Sequence, residues 1–242
     1  MADQQVTGPG IGKLAGGASA QGASPGAAAP EAASPSGRLS GSPRRTQEDR
    51  RAESDRRILS SARRLIARKG SAGTTLAEIG LEAGYSRGLP SERYGSKQAL
   101  LLELVARTEE AFQAQLATDL GDKTGLAAVE ARIDAHLTGA LRGAEGVRTL
   151  YLLTMESLTV APELHARVAD LARGYRDSFA QHLNEARTAG EVDATLDVQT
   201  CATLILAALR GLISQWLIEP GDIDIPTAKA ALVSMVRAGT RP

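Results

Sequence analysis

The segment Thr75–Lys97, TLAEIGLEAGYSRGLPSERYGSK, constrains the fold more than any other part of this sequence. Thr75 is followed three residues later by Glu78, which is the spacing of a capping box at the start of a helix. Gly84 supplies the positive φ that ends a helix, and Ser86 is a natural N-cap for a second one. Two short helices on either side of a Gly-containing turn form a helix-turn-helix, whose second helix enters the DNA major groove.

Further residues around this segment form an ordered pattern. They are Ile58, Leu59, Ala62, Leu65, Ile66, Gly70, Thr74, Thr75, Ile79, Ala83, Gly84, Tyr85, Ser86, Arg87, Gly88, Tyr94, Ser96, Lys97 and Leu100. With them, the region from about Arg56 to Leu104 resembles the DNA-binding domain of the TetR family of bacterial transcriptional regulators. The resemblance implies an all-helical homodimer that binds an operator, most often as a repressor. It also implies release of the operator when a small ligand enters a C-terminal pocket.

Two residues depart from the family pattern. Ser91 stands where the middle of the recognition helix usually has an aromatic residue, and Gly80 follows Ile79 where alanine is usual. A glycine inside a helix is expected to cost about 1 kcal/mol of stability relative to alanine.

The formal net charge of zero hides an asymmetry along the chain. Residues 44–97 contain thirteen Lys or Arg and seven Asp or Glu, whereas residues 98–242 contain thirteen and nineteen. The N-terminal part therefore carries +6 and the remainder −6. A basic segment attached to an acidic body is expected when only one domain faces a polyanion such as DNA.

The composition also excludes several classes of protein. One cysteine cannot form an intrachain disulfide, and it fits a reducing cytoplasm. The first thirty residues contain no apolar stretch typical of a signal peptide. The longest apolar run, Leu204–Ile218, contains Arg210 and Gln215 and is too short to span a bilayer. We therefore expect a cytoplasmic protein with no membrane partner.

The chain divides into three predicted segments. Residues 1–43 are rich in Gly, Ala, Ser and Pro and are expected to be disordered. Residues 44–100 form the predicted helix-turn-helix domain, and residues 101–242 form a helical ligand-binding and dimerisation domain. Apolar periodicity and the positions of Gly and Pro predict about nine helices and an all-α fold. Their expected bounds are about 55–69, 76–83, 87–94, 96–119, 124–142, 147–159, 162–189, 197–218 and 226–238.

Two interpretations remain open for the charged stretch from Arg44 to Arg57. It either extends the first helix as a solvated run or forms an arm that reaches phosphates or a minor groove. Arg44 and Arg45 are the candidate groove contacts in the second case.

The DNA-binding candidates fall into two groups. Phosphate contacts are expected from Thr74 and Thr75 before the second helix and from Lys97 at the start of the fourth. Ser86 begins the recognition helix, and the exposed face of that helix offers Arg87, Ser91, Glu92 and Arg93 for base readout. Arginine pairs with guanine and glutamate accepts from cytosine. In the alternative reading, Thr75 only caps its helix and Lys97 is a solvated surface residue.

The C-terminal half contains no catalytic or metal-binding pattern, so neither an enzyme, a cofactor nor a metal is predicted. The histidines lie far apart in sequence, and the glycines form no phosphate-binding loop. Polar groups on otherwise apolar faces are the candidates for lining a ligand pocket, although each could instead be an ordinary core or surface residue. They are His136, Tyr151, Met155, Glu156, Tyr175 and Trp216.

The last two helices mix small and large residues, which permits close helix approach, and the family resemblance implies that they pair in a dimer. The candidate interface residues are Ala208, Gly211, Leu212, Gln215, Leu232 and Val236. Two-fold symmetry of the protein would make the operator a near-palindrome. Two other readings remain: a DNA-associated protein without a ligand response, and a helical small-molecule carrier or enzyme that does not bind DNA.

Overall fold

The computed structural model describes residues 46–242, so the predicted tail and the candidate arm residues Arg44 and Arg45 lie outside the described residues. Within this range the chain is all-α, as predicted, and contains no strand. The helices are α1 (Gln47–Lys69), α2 (Leu76–Glu82), α3 (Leu89–Tyr94), α4 (Lys97–Leu120), α5 (Gly125–Arg142), α6 (Ala144–Glu156), α7 (His165–Thr188), α8 (Val198–Ile218) and α9 (Ile225–Gly239). A single 3-10 turn, Pro162–Leu164, precedes α7.

The first helix begins well before the predicted position near residue 55. Thr46 caps α1: its hydroxyl accepts from the Asp49 N–H at 3.0 Å, while the Asp49 carboxylate accepts from the Thr46 N–H at 2.9 Å. This capping box satisfies donors that would otherwise be unpaired at the helix start. Arg50 to Arg57 therefore belong to α1. For that part of the charged stretch, the structure supports the first interpretation, in which the stretch extends the first helix.

The predicted recognition helix also needs correction, because α3 begins at Leu89 and not at Arg87. Its N-cap is Gly88, which has no side chain that could cap the helix. Ser86 is therefore not the N-cap. Ser86 instead lies in the turn, where its carbonyl accepts from the Leu89 N–H at 3.3 Å. The helix that begins at Ala144 was likewise predicted three residues too late, and the helix predicted from residue 162 starts with the 3-10 turn.

Helices α1 to α3 and the start of α4 form the head of the molecule around a small apolar core. Its fully buried members include Ile58, Ala62, Ile66, Ile79 and Leu100. Helix α4 then continues without a break into the body, so the predicted domain boundary at residues 100 and 101 falls inside one helix. The apolar core is continuous across this point, because Leu153 and Leu171 from the body belong to the same cluster.

Gly80 lies where α2 approaches the turn before α3. A Cβ atom at this position would lie 2.4 Å from the carbonyl oxygen of Ser86 and 3.1 Å from Cδ of Pro90. The glycine therefore allows a close backbone approach and is more than a weak helix former.

Helix α6 joins the body to the head through polar contacts with α1 and the turn after it. The buried Thr149 hydroxyl donates to the carbonyl of Arg63 at 3.1 Å, and Arg63 pairs with Glu145 at 3.0 Å. At the other end of α6, the Glu156 carboxylate accepts from the Ser71 N–H at 3.0 Å. These contacts hold α6 against the second half of α1 and against the turn that follows α1.

Helices α5, α7, α8 and α9 enclose a second apolar core in the body. Its most buried members include Val129, Ile133, Phe179, Leu183 and Leu209. Among the described helices, α8 is long and apolar enough to cross a membrane by length and composition alone, a test that core helices of soluble proteins also pass. Only 28% of its most apolar window is buried, and its Leu204 and Ile218 are exposed.

Candidate DNA-binding surface and interior cavity

The exposed side of the α2–α3 unit carries four of the residues predicted to contact DNA. Ser86 and Arg87 in the turn are exposed, as are Ser91 and Glu92 on α3. The Arg87 side chain makes no hydrogen bond or ion pair with any residue between 46 and 242, so its guanidinium is available to a partner. These four exposed residues offer one cation, one anion and two hydroxyls.

Arg93 does not share that surface. Its Nη2 donates to the Ser54 hydroxyl at 2.8 Å, and its Nε lies 3.6 Å from Oδ1 of Asp55. Only 18% of the side chain is exposed. Arg93 therefore attaches α3 to α1, and these contacts occupy the side chain that was predicted to read bases.

The candidate phosphate contacts also separate. Thr74 is 1% exposed, and its hydroxyl donates to the carbonyl of Gly70 at 2.8 Å, so that hydroxyl is not available to a phosphate. Thr75 is exposed and caps α2: its hydroxyl accepts from the Glu78 N–H at 3.2 Å and donates to the Glu78 carboxylate at 2.9 Å. Lys97 is half-buried in the first turn of α4. Of the three candidate phosphate contacts, only Thr75 and Lys97 thus lie at the surface, where a phosphate could reach them.

The first turns of α1 add basic residues, which belong to the charged stretch for which two interpretations were open. Gln47, Arg50 and Arg51 surround a shallow depression together with Glu92 and Arg93 of α3. Two arginines therefore lie beside the exposed face of the recognition helix. The Thr46–Asp49 capping box, had it been recognised in the sequence, would have indicated that helix α1 extends this far.

A cavity of about 1510 Å³ lies between the head and the body. Residues of α1 and α4 form its walls together with residues of α5, α6, α7 and α8. Apolar side chains that line it include Leu59, Phe112, Leu150, Leu171, Leu206 and Ile213. A mostly apolar lining with a few polar groups is typical of small-molecule sites, and the volume exceeds their usual range of about 300–1,000 Å³.

Four of the six predicted ligand-binding residues, His136, Tyr151, Met155 and Tyr175, line this cavity. The other two do not. The Glu156 carboxylate is bonded to the Ser71 N–H, and the Trp216 side chain packs against the apolar core of the body. Neither side chain lines the cavity in this structure, so a role for either residue in ligand binding stays a prediction.

An aromatic layer crosses the inner part of the cavity. The His136 ring lies 4.6 Å from that of Phe112 and 5.1 Å from that of Tyr175, centroid to centroid, in edge-to-face contacts. Nδ1 of His136 is 2.8 Å from the carbonyl oxygen of Arg132. Burial lowers the pKa of His136 to about 4, so this ring is neutral at pH 7.

Two tyrosine hydroxyls contribute to the same region. The Tyr175 hydroxyl donates to the Glu109 carboxylate, and burial raises the pKa of this tyrosine. The Tyr151 hydroxyl donates to the carbonyl of Arg210 at 3.3 Å, and burial raises its pKa to about 12. Both phenols are therefore protonated at neutral pH and act as donors.

The sequence analysis missed Glu109, Arg132 and Arg210, which all act on this region. A signal was present for Arg132, because it lies one turn before His136 and among apolar positions that are buried in α5. An arginine on the apolar stripe of a helix is unusual unless a partner or a ligand compensates its charge.

The residues proposed for a dimer interface do not share one surface. Leu232 and Val236 are each 8% exposed and belong to the core of the body, so little of their surface is left for a dimer interface. Gly211 lines the cavity, Ala208 and Leu212 are partly buried, and Gln215 is exposed. The outward apolar residues are others: Leu204 is 64% exposed, Ile218 75% and Met235 70%.

Comparison with known proteins agrees with this arrangement of head and body. The family model described as bacterial regulatory proteins, tetR family, matches residues 58–104. The model described as BetI-type transcriptional repressor, C-terminal, matches residues 127–240. The chain belongs to the TetR family of transcriptional regulators.

A curated relative of this TetR-family chain is the HTH-type transcriptional regulator SrpR of Pseudomonas putida. It is 24% identical over 177 residues, which cover 73% of this chain and 80% of SrpR. A putative transcriptional regulator from Saccharomonospora viridis, solved in complex with choline, has a TM-score of 0.69 at 22% identity and covers 78% of this chain and 98% of its own. FadR from Bacillus subtilis, solved in complex with stearoyl-CoA, has a TM-score of 0.66 at 17% identity and covers 77% and 99%. At these identities the solved structures establish the shared fold.

Among residues 46–242 of this TetR-family regulator, no group of three or more His, Cys, Asp or Glu side chains is arranged to hold a metal ion.

Proposed function

We propose that this TetR-family regulator is a homodimeric cytoplasmic repressor that binds a near-palindromic operator and releases it when a small molecule enters the cavity. Arg87, Ser91 and Glu92 face the bases in this proposal, while Thr75 and Lys97 contact phosphates. Arg50 and Arg51 add positive charge beside the recognition helix, which strengthens binding to any DNA sequence.

The observation that carries the proposal is the position of the cavity. Leu59 and Arg63 of α1 and Leu104 and Phe112 of α4 line it, and the same two helices support the head. A ligand in this cavity would contact the helices that hold α3. It would therefore change the equilibrium between head positions by its difference in affinity for them.

The homodimer is supported by the outward apolar residues of the last two helices. Leu204, Ile218 and Met235 leave an apolar surface on α8 and α9 that a second copy would cover. Leu204→Glu is expected to shift the protein from dimer to monomer in sedimentation velocity, because a buried carboxylate without a partner opposes association. A Leu204→Glu variant that remains dimeric would assign the interface to another surface.

The DNA-binding part is tested by fluorescence anisotropy with promoter DNA from beside the gene, over a series of salt concentrations. Arg87→Ala should weaken specific binding by about 1–3 kcal/mol. Arg241→Ala, at an exposed arginine near the C-terminus, is the matched control and should leave the affinity unchanged. Equal affinity for promoter and scrambled DNA would contradict the proposal and favour a helical carrier or enzyme.

A further inference from the structure

One arginine of the cavity wall and one buried behind the wall form no ion pair within residues 46–242. Arg210 lines the cavity from α8, and Arg132 lies one turn before His136 on α5. Neither forms an ion pair with any residue that the structure describes. Arg132 is 6% exposed, and its Nε and Nη1 have no hydrogen-bond partner. Burying a cation in this way is costly unless an opposite charge compensates it.

The protein supplies little compensation of its own. The guanidinium carbon of Arg132 lies 5.7 Å from the centre of the Phe179 ring, which is a weak cation–π contact. Burial lowers the pKa of Arg132, and the only carboxylate that counteracts this effect is that of Glu109. The Glu109 carboxylate already accepts the hydrogen bond from the Tyr175 hydroxyl.

The charge balance of this region is therefore positive. Arg132 and Arg210 contribute two positive charges and Glu109 one negative charge, while His136, Tyr151 and Tyr175 are neutral at pH 7. After burial, the positive charges of both arginines are a further cause of the low pKa of His136. An anion here would neutralise the region, whereas a cationic ligand would add to an existing excess of positive charge.

We propose that the cavity binds the carboxylate of an amphipathic organic acid through Arg210, with the buried charge of Arg132 adding to the positive potential. The apolar part of the ligand would lie against Phe112, Leu150 and Leu206. Arginine is suited to this role because its planar guanidinium binds a carboxylate through two parallel hydrogen bonds. The inference rests on the proposed function, because it names the class of ligand for the same cavity.

Isothermal titration calorimetry on the full-length protein without DNA tests this inference with three probes of equal chain length. They are octanoate, octan-1-ol and octyltrimethylammonium at constant ionic strength. Octanoate should bind about tenfold or more tightly than octan-1-ol, and the ammonium probe should bind most weakly. Equal affinity for all three, tighter binding of the ammonium, or no octanoate binding up to millimolar concentration would overturn the inference.

Variants locate the acid group. Arg210→Met should lower the octanoate affinity about tenfold or more while leaving octan-1-ol binding within about twofold, because only a charge-assisted contact is removed. Arg210→Lys should restore part of the preference for the acid. Arg148→Met, at an exposed arginine of α6 outside the cavity lining, is the matched control. Equal losses for octanoate and octan-1-ol in Arg210→Met would show a packing effect and contradict the assignment.

The two proposals fail separately. Anisotropy with promoter DNA decides whether the protein binds an operator, and calorimetry without DNA decides whether the cavity prefers an acid. A protein that binds octanoate selectively and ignores its promoter would retain this inference and lose the proposed function.

Discussion

Replacing Gly80 by alanine tests the close approach between α2 and the turn before α3. An added Cβ would lie 2.4 Å from the Ser86 carbonyl oxygen, which is a backbone atom and cannot rotate away. It would also lie 3.1 Å from Cδ of the buried Pro90. The turn must therefore move, although alanine is intrinsically the better residue inside a helix.

The magnitude follows from two opposing terms. Alanine gains about 1 kcal/mol of helix stability relative to glycine. Forcing one extra carbon into a packed site costs about 1–3 kcal/mol. We expect Gly80→Ala to lower the free energy of unfolding by about 1 kcal/mol. Gly174→Ala is the matched control, because Gly174 lies inside α7 with no atom near the added Cβ, and it should raise the free energy of unfolding by about 1 kcal/mol.

Urea denaturation at one fixed protein concentration measures both variants, since the proposed dimerisation would make stability depend on concentration. The displaced turn should also weaken binding to promoter DNA in Gly80→Ala but not in Gly174→Ala. If Gly80→Ala is stabilised as much as Gly174→Ala, the contact with the Ser86 carbonyl does not restrict this position and the reasoning is refuted.

Three further changes have defined outcomes. Arg93→Ala should lower the free energy of unfolding by about 1–3 kcal/mol in urea, because Asp55 loses its partner. An unchanged stability would mean that Arg93 is not needed to hold α3 on α1 and would favour its role as a base contact. Glu156→Gln should lower it by about 1 kcal/mol, since the Ser71 N–H loses a charged acceptor, and a thermal melt that matches the wild type would contradict this. The lowered pKa of His136, about 4 against about 6.5 when unfolded, means that the unfolded state binds the proton first. Stability should therefore fall as the pH drops from about 6.5 to 4, by up to about 3 kcal/mol, and His136→Asn should flatten this slope in urea titrations.

The parts of the fold that local chemistry determines could be predicted from the sequence. The Thr75–Glu78 capping box marks the start of α2, and both the all-α fold and the family assignment are confirmed. The capping box and the helical periodicity depend on residues close in sequence, so the sequence alone reveals them.

The features that were missed depend on contacts between distant residues. Arg93 is an exposed-looking residue of a short helix, but Ser54, thirty-nine residues earlier, accepts its hydrogen bond. Leu232 and Val236 turn inward because α9 packs on α5, a neighbour that no local pattern identifies. The excess positive charge near the cavity likewise arises only because α5, which carries Arg132, packs against α8, which carries Arg210.

Helix α4 runs without a break from head to body, and α6 contacts α1. Both features limit how the head of one such regulator could be joined to the body of another. A chimaera joined at residue 100 would cut through a helix and pair Arg63 and Ser71 with foreign side chains. Grafting a new operator preference onto this ligand site should therefore succeed only if Glu145, Thr149 and Glu156 are kept with their own α1 and the loop behind it. In evolution, the head and the body would then be inherited as one unit, with new operator specificities arising by changes on α3 and in the turn before it.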